Sequence, residues 1–342
     1  MAWWQPNRFA KKAPYLRARG AILASVRAFF SAQGFVEVDT PALQVSPGLE
    51  PHLRAFGTLF HEPGGPKKPM FLHTSPEFAM KKLLAAGVPK LFQLAHVFRD
   101  GERAATHSPE FTLLEWYRAE ADYHSLFDDC EALLKSVLAA CKADTFTWKG
   151  LRSDPRAKWE KLSVADAFER HCGIDLLTTA PDPENPSLDR LARAAAQIGI
   201  APHKGDSWED LFFRIFLERI EPKLGVGAPT ILYDYPIAMA ALARAKPDDQ
   251  RVAERCELYV AGLELANGFS ELTDEAEQRR RFERDREAKR ARGEEPYPVD
   301  EDFLRALEAM PQAAGMALGF DRLVMLATGA PRIDDVLWAP VD

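Results

Sequence analysis

Residues 98–117 read FRDGERAATHSPEFTLLEWY, and residues 315–322 read GMALGFDR. In the first stretch Arg99 ends one β-prone run, a polar loop follows, and EFTLLEWY opens a second run. In the other, a glycine-containing strand delivers Arg322 to the start of a helix predicted over residues 321–328. A guanidinium offers a fixed fork of donors and keeps its charge, which suits a triphosphate held by rigid strands. A cation at a helix N-terminus opposes the helix dipole, so a purely structural arginine gains little there while an anion-binding one gains much. A surface ion pair is the plain alternative for either residue. Two strand-borne arginines together point to an enzyme that uses a nucleotide.

Working outward, LFQLAHVFR (91–99) and EFTLLEWYR (110–118) predict an antiparallel hairpin around the polar loop. Upstream, Ile22, Val26, Phe29 and Phe30 recur at helical spacing, and Gly34 supplies a stop. FVEVDT (35–40) alternates like a strand until Pro41, and residues 61–69 form a Pro/Gly/Lys hairpin tip. FLHTS (71–75) reads as a strand and PEFAMKKLLAAG (76–87) as a helix closed by Gly87. Residues 1–14 read as a loose arm, with one catalytic domain over 15–342. Within it, 123–226 is a mainly helical insertion broken by PDPENPS (181–187). TILYDYP (230–236) is a strand, and ELYVAGLELANGFSEL (257–272) reads as one strand running into a loop. Residues 274–292 form a helix dense in both charge signs, most simply a solvated face. Strands and helices alternate without regular βαβ units, so the fold class is α+β, an antiparallel β-sheet flanked by helices.

The bulk properties narrow the function. A chain of 342 residues with 46% hydrophobic content can build one large domain or two modest ones. A net charge of -7 argues against a whole-surface nucleic-acid binder, though a local basic patch is allowed. The four cysteines show neither CxxC pairing nor zinc spacing, as expected of reduced thiols in a cytosolic protein. No run reaches the length of a membrane span, and the N-terminus lacks a signal-peptide apolar segment. The expectation is a cytoplasmic protein with no membrane partner.

The order of the segments carries a resemblance. The helix–strand–Pro unit (17–41), the FR…EFT hairpin (98–117) and GMALGFDR (315–322) resemble motifs 1, 2 and 3 of the class II aminoacyl-tRNA synthetases, in the right order. ELANGFSELTDEAEQRRRFE (264–283) is similar to the lysyl-tRNA synthetase signature within that class. Lysyl-tRNA synthetases carry an N-terminal OB-fold that grips the anticodon. Here the motif 1 helix is expected to start by about Arg17, which leaves no room for it. The chain therefore resembles freestanding lysyl-tRNA synthetase paralogues that attach (R)-β-lysine to a lysine of translation elongation factor P. The resemblance implies a class II catalytic domain, ATP and Mg²⁺ as cofactors, β-lysine as substrate, elongation factor P as partner and a homodimer built on motif 1. It makes tRNA an unexpected partner.

It also implies roles residue by residue. Adenylation builds charge on phosphoryl oxygens, so fixed cations are the natural catalysts. Arg99 fits the α-phosphate and substrate carboxylate, and Arg322 the γ-phosphate of a bent ATP. Phe111 matches the aromatic that stacks on adenine. The family's adenine-reading glutamate falls on Gly101 here; either Glu102 or a backbone group replaces it, and Glu102 is the choice made. Ser108 stands where the family has asparagine and loses a two-sided amide contact. Leu265 and Gly319 complete the ATP-binding set. Glu264 and Glu271 are assigned as metal ligands, Glu264 toward ATP–Mg²⁺ and Glu271 also toward the substrate amines, with Asn267 and Gly268 holding a turn that lets them converge. Ser75, Pro76, Glu77 and Tyr117 match the substrate-binding set. Glu77 has a plain alternative as helix-dipole complement. Ala317 replaces the glycine that lysyl-tRNA synthetases place under the substrate's α-amino group, which favours a β-amino acid. Met239, in an apolar stretch, is expected to pack.

Three rival functions remain at this point. A truncated synthetase charging tRNA or a small acceptor would have few phosphate contacts. A non-catalytic regulatory paralogue would have no need of both Arg99 and Arg322. Amidation of the asparagine synthetase kind shares the fold, but the ELANGFSEL block favours a diamino substrate. Arg279, Arg280, Arg281 and Arg284 are a candidate dock for an acidic protein.

Overall fold

The computed structural model describes residues 3–50 and 52–341. Its centre is a nine-stranded mixed sheet whose strands, in chain order, are β1 (Val36–Glu37), β2 (Lys90–Phe98), β3 (Glu110–Ala119), β4 (Glu160–Ser163), β5 (Thr230–Pro236), β6 (Ala245–Lys246), β7 (Asp249–Val260), β8 (Leu263–Ser270) and β9 (Ala313–Gly319). The spatial order is β1-β2-β3-β9-β8-β7-β5-β4, with β6 paired to β7. Only the two outer pairs, β1–β2 and β5–β4, are parallel. A smaller sheet joins Leu43–Gln44, Lys67–Leu72 and Gly57–His61.

The two segments that opened the sequence reading sit at the middle of this sheet. β2 and β3 pair from Lys90↔Arg118 to Phe98↔Glu110, and β9 lies against β3 with Ala317 opposite Glu115 and Gly315 opposite Tyr117. Two helices cover one face, α1 (Pro6–Ala32) and α2 (Tyr123–Cys141). Ile22, Val26 and Phe30 are the buried stripe of α1; the Phe30 ring stacks on Phe92 with centroids 4.8 Å apart and meets Trp116 at 5.3 Å.

Several expectations need correction. Residues 6–14 are no loose arm, because α1 begins at Pro6; residues 1 and 2 lie outside the described residues. Proline suits a first helical position, where its missing N–H costs nothing. Pro14 lies inside the helix, and the Lys12 ammonium donates to the Asp334 carbonyl at 3.1 Å, which ties this first stretch to the C-terminal segment. FVEVDT shortens to a two-residue strand. The stretch 257–272 is not one strand but the β7–β8 hairpin. Its turn residues Ala261 and Gly262 both have positive φ, 52° and 74°, the backbone a tight two-residue hairpin requires. The insertion 123–226 also carries more strand than expected: a small hairpin (Phe146–Trp148 with Leu151–Ser153) and β4, which extends the main sheet. Its helices Val164–Cys172, Leu188–Ala196 and Trp208–Ile215 enclose a second apolar core against β5.

Candidate active site

A cavity of about 430 Å³ opens on the sheet face opposite α1 and receives residues from β3, β7, β8 and β9, with Arg99 from just beyond β2. Pleating explains the convergence. Directly opposed residues share a face, so Gln93, Glu115, Ala317, Asn267 and Glu257 form one row across β2, β3, β9, β8 and β7. Tyr117, Gly315, Phe269 and Arg255 form the next.

Glu77, Arg99, Glu102, Ser108, Phe111, Glu264, Leu265, Ala317, Gly319 and Arg322 all line the cavity. Ser75, Pro76, Gly101, Tyr117 and Glu271 do not. Gly101 takes φ +82° in the turn after Arg99, and Pro76 caps the helix α3 (Glu77–Ala85). Ser75, Tyr117 and Glu271 lie in a buried polar cluster reached through Glu77.

Arg99 lies with its guanidinium 5.1 Å from the Phe111 ring centroid and 3.8 Å from the Glu102 carboxylate. Its Nε donates to the Thr74 carbonyl at 3.4 Å. Arg322 stands in the first turn of the helix Phe320–Thr328. It donates to the Glu264 carbonyl at 2.9 Å and meets His107 Nε2 at 2.8 Å. Burial and then the Arg322 charge lower the His107 pKa, so its ring is neutral and free to accept that bond. The neighbouring Asp321 carboxylate accepts from Thr112 N at 2.6 Å and pairs with Arg19 of α1, which locks the start of this helix to β3.

The buried cluster has three carboxylates and one ammonium. Lys81 Nζ lies 2.5 Å from both Glu77 and Glu271. Burial alone would lower the Lys81 pKa, but Glu271 and Glu77 outweigh it and raise it. Glu115, 1% exposed, accepts from Ser75 Oγ at 2.5 Å and from the Tyr117 hydroxyl at 3.0 Å. Burial, reinforced by Glu77, pushes its carboxyl up to about 8. Burial also pushes Glu271 up, against the pull of Lys81. Gly315 is required beside them: a Cβ there would meet the Tyr117 ring at 2.2 Å and Glu271 Oε1 at 2.5 Å.

Glu264 and Glu271 do not converge. Asn267 and Gly268 lie within the regular strand β8, not in a turn. Glu264 instead shares its surroundings with Glu257 of the adjacent strand. Its side chain is 40% exposed, yet the cleft walls and the Glu257 charge push its carboxyl up. Glu257 is held by Arg255 at 2.7 Å and by the Tyr259 hydroxyl at 2.5 Å. Arg255 also donates to Asn267 Oδ1 at 3.0 Å and to the Met239 carbonyl at 2.7 Å. Among the described residues no three His, Cys, Asp or Glu side chains converge as a metal site.

Arg281 also departs from expectation. It is 7% exposed, and its guanidinium clamps the carbonyls of Ala241 and Ala243, so it braces the fold and offers nothing to a partner. Arg279 and Arg280 are exposed but pair with Glu275, Glu301 and Glu277.

Glu115, Lys81 and Glu257 were not singled out from the sequence. A signal for Glu115 existed, since alternation places it on the strand face of Phe111 and Tyr117. For Lys81 the i,i+4 spacing from Glu77 was the cue. Glu257 became visible only once the 257–272 stretch folded into two strands.

A family model for class II tRNA synthetases (D, K and N) matches residues 6–342. Elongation factor P–(R)-β-lysine ligases of Salmonella arizonae and Klebsiella pneumoniae are each 41% identical to this chain over 346 aligned positions. Each alignment covers 100% of this chain and 98% of the relative.

Proposed function

Because the chain belongs to the class II tRNA synthetase family that includes the D, K and N enzymes, we propose that its cleft activates (R)-β-lysine with ATP and passes the acyl group to a lysine side chain of elongation factor P. The observation that carries this reading is the buried cluster behind Glu77. Glu77, Glu115 and Glu271 face the single Lys81, and burial keeps Glu115 and Glu271 from ionising fully in the empty pocket. Added cations would let both carboxyls ionise, and a diamino acid brings two. Aspartate would add to the negative charge and is rejected.

ATP fits the opposite part of the cavity. Arg99 just past β2 and Arg322 in the helix after β9 are both held by hydrogen bonds to the backbone, so they can meet phosphate oxygens with little reorganisation. Phe111 offers a ring face to adenine, at present covered by Arg99, and Glu102 lies within reach of the same edge of the cleft. Mg²⁺ is assigned to Glu264, which lines the cavity beside Arg322. One carboxylate plus phosphate oxygens is a usual donor set for this ion, which retains several waters. Bound there, the metal would neutralise charge on the phosphates. Glu271, paired with Lys81 inside the protein, is assigned to the substrate amines alone.

A dimer is part of the reading, although the α1 ring Phe30 is buried in the core and offers no surface for it. The support comes from elsewhere: Val36, Leu43, Val45, Phe56, Leu59 and Phe60 are all exposed along the edge strand β1 and the smaller sheet. Such a surface suits an isologous contact between copies. Among the described residues no helix is long and apolar enough to cross a membrane, and a translation factor as acceptor is in keeping with a cytoplasmic enzyme.

ATP–pyrophosphate exchange tests the assignment. Exchange dependent on (R)-β-lysine, weaker with α-lysine and absent with aspartate, is the expected result. Exchange driven by aspartate would overturn it.

A further inference from the structure

The second half of the reaction needs a base, and nothing assigned above supplies one. An acceptor lysine arrives as an ammonium ion, which has no lone pair to attack with. Glu50 lies in the loop that joins the strands Leu43–Gln44 and Gly57–His61 of the smaller sheet, lines the same cavity as Arg99 and Glu77, and belongs to none of the groups that bind ATP or the amino acid. Its Oε2 is shielded from solvent and accepts no hydrogen bond. The loop is shaped around that oxygen. Gly48 has φ +118°, and a Cβ there would stand 2.6 Å from Glu50 Oε2. Thr74 N and Oγ1 both donate to the Pro47 carbonyl, at 3.2 and 2.7 Å, and the Thr74 carbonyl accepts from Arg99. The carboxylate is thereby fixed relative to the arginine assigned to the reacting phosphate.

We infer that Glu50 takes the proton from the ammonium of the acceptor lysine, and that Glu209 and Asp285 at the mouth of the cavity draw that ammonium in. This rests on the proposed ligase reading. Glu209 and Asp285 line the cavity beside His52, whose ring is 3.7 Å from Glu209. Burial holds the Asp285 carboxyl up at about 7, with Arg284 pulling it down and Glu50 and Glu209 pushing it up, and burial and Glu77 raise Glu50 in the same way. Bases tuned toward neutrality are the effective ones for proton transfer at physiological pH. Glu50 takes one proton from the –NH₃⁺ group. The freed lone pair forms the C–N bond at the acyl carbon while the bond from that carbon to the phosphate oxygen breaks. AMP leaves with that electron pair, and its phosphate accepts the second proton lost by nitrogen.

The test separates the two half-reactions in the full-length protein. Glu50→Gln should lower single-turnover transfer from preformed adenylate to elongation factor P by roughly 10²-fold or more, the scale of general-base catalysis. Transfer to hydroxylamine, whose nitrogen is already neutral, should change less than about threefold. Glu50→Asp should recover part of the lost transfer. Pyrophosphate exchange by the wild-type chain reports separately on the ligase reading, so either failure can be told from the other. Loss of transfer to both nucleophiles alike, a raised KM for (R)-β-lysine in exchange, or unimpaired transfer to elongation factor P would each overturn the role of Glu50.

Discussion

Replacing Glu115 with glutamine should stabilise the folded chain at alkaline pH while impairing its work. Between the ordinary carboxylate value of 4.5 and the folded value of about 8, the folded state keeps a proton that the unfolded state has released. Stability conferred by a group of raised pKa is present at low pH and is lost as pH rises, here by about 1.4 kcal/mol per unit. From pH 6 to pH 8 the loss is roughly 2 kcal/mol, after allowing for the part regained as the folded group begins to ionise. Glutamine has the same shape, retains an acceptor for the Ser75 or Tyr117 hydroxyl, and does not titrate. The Tm difference between variant and wild type should therefore widen by several degrees over that interval, at roughly 2–4 °C per kcal/mol in a large domain. Calorimetry of both ligand-free proteins at pH 6, 7 and 8 measures this. A difference that stays constant or shrinks as pH rises would refute the reasoning. The same substitution removes a carboxyl that would ionise against the bound diamine. A hydrogen bond to a charged group contributes about 1.5–3 kcal/mol, so KM for (R)-β-lysine should rise by roughly 10-fold or more.

Three other outcomes are expected. Arg99→Ala and Arg322→Ala should each cut pyrophosphate exchange by roughly 10²-fold or more with the fold retained by circular dichroism; activity within a few-fold of wild type in both would remove the ATP assignment. Ala317→Gly should narrow the preference for β-lysine by improving α-lysine, within the roughly 10–200-fold that one methyl commands; an unchanged ratio would mean that Ala317, packed near Phe111 and Leu113, only fills its strand. Light scattering should give twice the monomer mass at micromolar concentration, and Leu59→Glu with Phe60→Lys should shift it toward monomer; a monomeric wild type would reject the dimer.

The sheet centre was legible because its signals are local. The hairpin of 91–118, the strand before Arg322 and the helix after it each follow from alternation, turn residues and caps. What failed was decided at a distance or by unusual backbone. Ala261 adopts a positive φ that no propensity assigns to alanine, so the β7–β8 turn was invisible, and with it the influence of the Glu257 charge on Glu264. The first helix was expected from about Arg17 and begins at Pro6, a position that favours proline. Phe30 is buried by Phe92 and Trp116, partners too far away in sequence to be read from it. The ten cavity-lining residues named in advance came from strand-end chemistry and resemblance. Glu115 and Lys81 are buried and become meaningful only as partners, which a linear reading does not display.

The most direct test of the whole account is the mass of elongation factor P after incubation with this chain, ATP, Mg²⁺ and (R)-β-lysine, with tRNA present as a competing acceptor. The account predicts a single β-lysyl addition to one lysine of elongation factor P and no aminoacylated tRNA. Unmodified elongation factor P alongside charged tRNA would contradict it.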